Sequence, residues 1–190
     1  MRTPHMILLL GAALVWAVGH ARAATPEAKQ AYQQARDAAG AAYKNARARC
    51  DAITGNPKDV CVAEAKAARV QAEETARASF EDTLKAYTRA RVRIATANYE
   101  RDQTRCGGMT GNDKDVCKAQ AKAALVAAQA DARANQKSIE ARNEARDDKL
   151  AAAYRVEMQK CDAFAGAAKD QCVTAARTAF NRCADALRNT

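Results

Sequence analysis

The chain has 190 residues, 48% hydrophobic but only 5% aromatic, with 31 Lys+Arg against 22 Asp+Glu. Removing residues 1–23, for the reason given next, leaves 167 residues with net charge +7, of which 45 are alanine and only 18 are Leu, Ile, Val or Phe. That is too few large side chains for an ordinary globular core or a sandwich of sheets, and the Ala-, Lys- and Arg-rich remainder suits long helices. Both histidines, His5 and His20, lie before residue 24, so most acid–base, hydrolytic and metal chemistries lose their usual side chain.

Residues 1–23 read as an export signal. A short segment with one fixed positive charge, Arg2, precedes the apolar run 6–19, and Ala21-Arg22-Ala23 has the small-x-small pattern of a cleavage site. The run is too short for a membrane anchor, which needs about 20 apolar residues. The expectation is a periplasmic or secreted protein with no integral membrane span after cleavage, and with cysteines that pair.

Residues 24–190 form a single elongated domain of three repeats, about 24–80, 81–136 and 137–190. In each, a tyrosine (Tyr43, Tyr99, Tyr154) precedes a cysteine by seven residues, and ten residues then separate that cysteine from a second. The pairs are Cys50 and Cys61, Cys106 and Cys117, and Cys161 and Cys172. Helix formers without proline lead to each first cysteine. Gly55, Gly111 and Gly166 are expected to end that helix in the left-handed conformation. Asn56 and Asn112 are expected to cap the next helix, with Pro57 at its first position. Asp59 and Asp115 then fall where the helix dipole favours a negative charge, and Asp170 holds the same place in the third unit. There Ala167 replaces the capping asparagine, which predicts a weaker start.

Each unit therefore reads as helix, loop, helix, an all-α fold of antiparallel hairpins with a disulfide closing each. An unbroken helix with both cysteines on one face conflicts with the glycine and proline between them. Zinc spacing is not matched either. Six cysteines allow 15 pairings, and the repeat selects the three local ones. Cys183 is left unpaired. It stands where the other units place alanine, in the stripes Cys61–Ala65–Ala68–Ala72 and Cys117–Ala121–Ala124–Ala128, and is read as a small, half-buried thiol in a packed seam; a bridge to another chain or a reactive thiol is the alternative. The register of such hairpins puts Tyr43 opposite Ala68, Tyr99 opposite Ala124 and Tyr154 opposite Ala179.

Residues 58–104 and 114–159 contain neither Pro nor Gly. Each is expected to be one long helix, with the first and third loops at one end of the molecule and the second at the other. The alternative is a bend near Ser79 and Ser138, giving three stacked hairpins.

The segments CDAITGNPKDVCVAEAKAA, CGGMTGNDKDVCKAQAKAA and CDAFAGAAKDQCVTAAR, with their C-x(4)-G-x(2)-K-D-x-C unit, resemble a family of uncharacterised exported Ala/Lys-rich helical proteins of Gram-negative bacteria, sometimes labelled TolA-like. The resemblance implies an envelope location and no catalytic residue or cofactor. The expected function is non-enzymatic: a periplasmic structural, adaptor or chaperone-like protein whose partner is an envelope protein or its own copy. A polyanion binder using Arg89, Arg91 and Arg93 is one alternative, although Glu81, Asp82, Glu100 and Asp102 flank that cluster and no specific nucleic-acid recognition is expected. A thiol redox or metal-handling protein is another.

Overall fold

A computed structural model describes residues 25–188; the expected export signal lies outside them. The described residues form five helices and no strand: α1 Pro26–Cys50, α2 Asn56–Glu81, α3 Leu84–Cys106, α4 Gly111–Cys161 and α5 Gly166–Arg188. Three disulfides close the α1–α2, α3–α4 and α4–α5 hairpins. Among the described residues no helix is long and apolar enough to cross a membrane.

Local chemistry sets the starts. Thr25 caps α1 by accepting from the Ala28 N–H at 3.2 Å, with Pro26 at the first turn, where an N–H would lack a partner. The expected long helix over 58–104 does not form. It breaks at Asp82, which takes the left-handed conformation (φ 44°) as the cap of α2, and Thr83 restarts the chain by accepting from the Ala86 N–H at 3.1 Å. Aspartate tolerates that backbone better than most residues, and threonine is a good N-cap. Counting back from Tyr154 as Asp82-Thr83 count back from Tyr99, the later junction carries Lys137-Ser138. A lysine there gives no such relief, and α4 runs through Ser138 unbroken for 51 residues, about 77 Å at 1.5 Å per residue.

The break also overturns the expected placement of the loops. With α3 folded back on α2, the first and second disulfide loops share one end, and the third lies at the far end of α4. Each helix packs only on its neighbours in sequence, α1 on α2, α2 on α3, α3 on the first half of α4 and α5 on the second half. The result is one layer of helices, not a closed bundle.

A layer this open leaves little interior. The buried apolar residues are ten alanines, three half-cystines and Leu125. Alanine seams allow close backbone approach, so packing comes from helix proximity more than from large side chains. Cys50, Cys106 and Cys161 are fully buried. One charge is buried among them. Glu74 on α2, 6% exposed, accepts from Arg93 of α3 at 3.0 Å and lies 3.7 Å from Arg77. That pair fixes the α2–α3 register, because a one-turn slip would strand a carboxylate in a dry seam.

Candidate functional site

The repeated loops are the most constructed part of the molecule. Their cysteines pair as expected, with Cα–Cα distances of 5.7 Å for Cys50–Cys61, 5.7 Å for Cys106–Cys117 and 5.6 Å for Cys161–Cys172. The glycines do adopt positive φ, 67° at Gly55, 56° at Gly111 and 57° at Gly166, but none ends a helix. The preceding helices close at the cysteines themselves, and each glycine opens the helix that follows. That shifts the expected caps. Gly55 takes the cap position of α2 through its backbone, its carbonyl accepting from Lys58 N at 2.9 Å, and Thr110 takes it in α4 without a side-chain bond. Asn112 is thus inside the first turn and is not the cap. Asp59 stays in the first turn of α2, whereas Asp113 replaces Asp115 in that of α4 and Asp170 falls outside that of α5.

Freed from capping, Asn56 does something the sequence did not announce. Its Nδ2 donates to the Thr104 carbonyl at 2.9 Å, tying the first loop to the end of α3. The second unit has Gly107-Gly108 where the others have Asp51-Ala52 and Asp162-Ala163, and this contact explains it. A Cβ on Gly108 would stand 2.5 Å from Asn56 Oδ1 and 3.1 Å from its Cγ. Gly108→Ala is therefore expected to expel Asn56 and destabilise the chain by about 1–2 kcal/mol, read as a lowered Tm. Asn56→Ala should cost a similar amount, and in that background Gly108→Ala should cost little.

The repeated lysine also has a structural task. Lys58 reaches back to Asp51 at 3.2 Å and Lys169 to Asp162 at 2.8 Å, each clamping its loop across the disulfide. In the second unit Gly107 removes that partner. Hydrogen bonds from Arg47 and then Lys58 hold the Asp51 carboxyl below the usual aspartate range, and the Asp162 carboxylate raises Lys169. Asp51 thus adds stability above its ordinary pKa, near 4, and loses it as pH falls through the lowered folded value. The Tm gap between wild type and Asp51→Asn should be open at neutral pH and close on acidification below that range.

Of the clefts around these elements, three adjoin residues singled out by the sequence. The first, of about 370 Å³ between α1, α2 and α3, is lined by Arg47, Lys58, Lys66 and Arg101 with Asp59 and Glu100. Its cations are occupied: Lys66 bonds Glu100 at 2.7 Å and Arg101 bonds Asp102 at 2.9 Å, and these carboxylates raise the pKa of both. The arginine cluster on α3 behaves likewise. Arg89 pairs with Glu81 and Arg93 with Glu74, leaving Arg91 exposed without an ion pair among the described residues. A second cleft runs along α1 and α2 over Ala35, Ala68 and Ala72.

The third, of about 160 Å³, lies between α4 and α5, where Leu150, Tyr154 and Phe180 surround the free thiol of Cys183. Cys183 is exposed, not half-buried. The expected seam closes only beside the first two disulfides, at Ala65 and Ala121; Ala68, Ala72, Ala124, Ala128 and Ala179 are exposed, because no further helix covers the groove. Each tyrosine ring meets its hairpin partner. Tyr43 lies under the Arg69 guanidinium at 5.4 Å and Tyr99 under the Lys122 ammonium at 5.7 Å. Tyr154 tilts against Phe180 at 4.8 Å and lines the same cleft as Ala179.

Among the described residues no three His, Cys, Asp or Glu are grouped to hold a metal. No protein-family model matches the chain, and no curated protein or solved structure was found to be similar to it.

Proposed function

We propose that this chain is an exported, non-enzymatic helical protein of the cell envelope, acting as a spacer or adaptor. The observation that carries the reading is how the repeated residues are used. The six cysteines close hairpins, the glycines start helices, and Lys58 and Lys169 clamp loops. What recurs holds shape. Three disulfides favour an oxidising compartment, in keeping with the export signal expected in residues 1–23 and with the likeness to exported Ala/Lys-rich proteins.

The ion pairs of Arg89 and Arg93 weigh against a polyanion surface on α3, since a pre-neutralised cation gains little from a phosphate. A thiol-exchange role has one free thiol at its disposal, Cys183. The test is affinity capture of the tagged full chain from envelope fractions after brief in-cell crosslinking. Recovery of a defined envelope protein, or of further copies of this chain, supports the reading. Recovery from the cytoplasm with reduced cysteines overturns it, as does salt-sensitive retention of anionic lipid or lipopolysaccharide in place of protein.

A further inference from the structure

α4 is covered on one side only. Ala121, Leu125, Ala132 and Cys161 are buried, and Leu150 and Tyr154 are half-buried, on the side that carries α3 and then α5. At 100° per residue the opposite face carries Val116, Ala123, Ala127, Ala130, Ala134, Ala141, Ala145, Ala152 and Val156, all of them exposed, Val116 by 45% and Val156 by 54%. A row of alanines alone would say nothing about a partner. The charges beside it do.

On one edge of this face stand Arg133 and Lys137, then Glu144 and Asp148; on the other stand Asp131 and Lys149. None of the six has an ion pair or hydrogen bond among the described residues, whereas the α2–α3 seam pairs Glu64, Glu74, Glu81 and Glu100 across it. Arg133 and Lys137 are like charges four apart, and so are Glu144 and Asp148, a spacing that destabilises an isolated helix. The order of these six is self-complementary about Ala141. Lys137 lies four residues before it and Glu144 three after; Arg133 lies eight before and Asp148 seven after, on the same edge. Asp131, ten before, matches Lys149, eight after, on the other edge.

We infer that the outer face of α4 is a dimerisation surface for a second copy of this chain, packed antiparallel with Ala141 on the two-fold axis. Lys137 of each copy then meets Glu144 of the other, Arg133 meets Asp148, and Asp131 meets Lys149, every pair occurring twice. Ala141 against its own copy and Ala130 against Ala152 let the helices approach closely at those levels. An overlap of about 40 residues is ~60 Å long and ~10 Å wide, roughly 600 Å² per copy before the flanking side chains are added, close to the ~800 Å² per partner of stable dimers. The α1–α3 layer and α5 lie on the far side of α4 and leave the approach clear.

The test uses the oxidised mature chain carrying Cys183→Ser, so that no intermolecular disulfide can stand in for the interface. Sedimentation velocity should show a monomer–dimer equilibrium. R133E with K137E should weaken it by about tenfold or more, and adding E144K with D148K should restore it. Position-specific crosslinking settles the direction. With a short bis-maleimide, A141C should couple to itself, while A130C and A152C should each stay uncoupled alone and couple when mixed. Four results would each overturn the proposal: a monomer at all soluble concentrations, a dimer indifferent to these charges, failure of A141C to couple, or self-coupling of A130C alone, which marks a parallel pair.

Discussion

Replacing Cys161 and Cys172 together by serine should release α5 while leaving α1–α3 intact. The reason lies in what holds α5. It touches α4 alone, and no described residue of it is buried. Val173, Ala176, Phe180, Ala184 and Leu187 form only a half-covered stripe. A helix with no buried side chain among its described residues has little tertiary stabilisation, so its docking leans on the covalent closure at its base. Closing a loop of this size stabilises by about 3 kcal/mol in the chain-entropy account. Its loss should therefore raise amide exchange in α5 roughly a hundredfold. The amides of α2 and α3 should be unaffected, because their seam is made by Ala67, Glu74, Ala78, Ala86 and Ala90 and owes nothing to that disulfide. Hydrogen exchange resolved along the chain reads this directly. Equal loss of protection in all five helices would show that the array folds as one unit and that the weakness assigned to α5 is wrong.

The second large effect is expected from volume. Ala78 is 2% exposed on α2, where the chain folds back at Asp82, and Ala86 and Ala90 of α3 are buried across from it. Leucine at position 78 has no space without separating the helices. Separation would also pull Glu74 from Arg93 and leave a partly dried carboxylate short of its cation. Ala78→Leu should destabilise by about 3 kcal/mol, combining overpacking with the disturbed pair, and lower Tm by roughly 6–12 °C. Ala68→Leu is the control. That position lies on an exposed groove, so the larger side chain should leave Tm nearly unchanged. A comparable loss at both positions would mean that the groove along α1 and α2 is filled in solution.

Much of this architecture is legible in the residues. Ten-residue spacing between cysteines, a glycine inside it and helix formers outside it define a hairpin, and three copies define three hairpins, because all of that chemistry is local. The pairing of Tyr154 with the Ala179 groove follows for the same reason, since a disulfide at the base fixes which residues face each other. The loops were less legible in detail. Asn-Pro reads as a cap, yet Asn56 is taken by the Thr104 carbonyl 48 residues away, a partner no local pattern announces. The fold-back at Asp82-Thr83, three residues beyond the alternative bend at Ser79, has a local signal, a left-handed-tolerant residue followed by a capping threonine. Without glycine or proline, the helix formers around it favour continuity.

Composition and short-range spacing suffice for the hairpins, their covalent closures and the lack of a large apolar core. The two junctions differ by a local signal, Asp82-Thr83 against Lys137-Ser138, which folds the chain back at one and lets α4 run straight through the other. Helix packing decides the rest: two loops share an end, Cys183 is exposed and one face of α4 stays bare. Those outcomes depend on which helix covers which, and an alanine carries the same sequence signal whether its methyl group meets another helix or water.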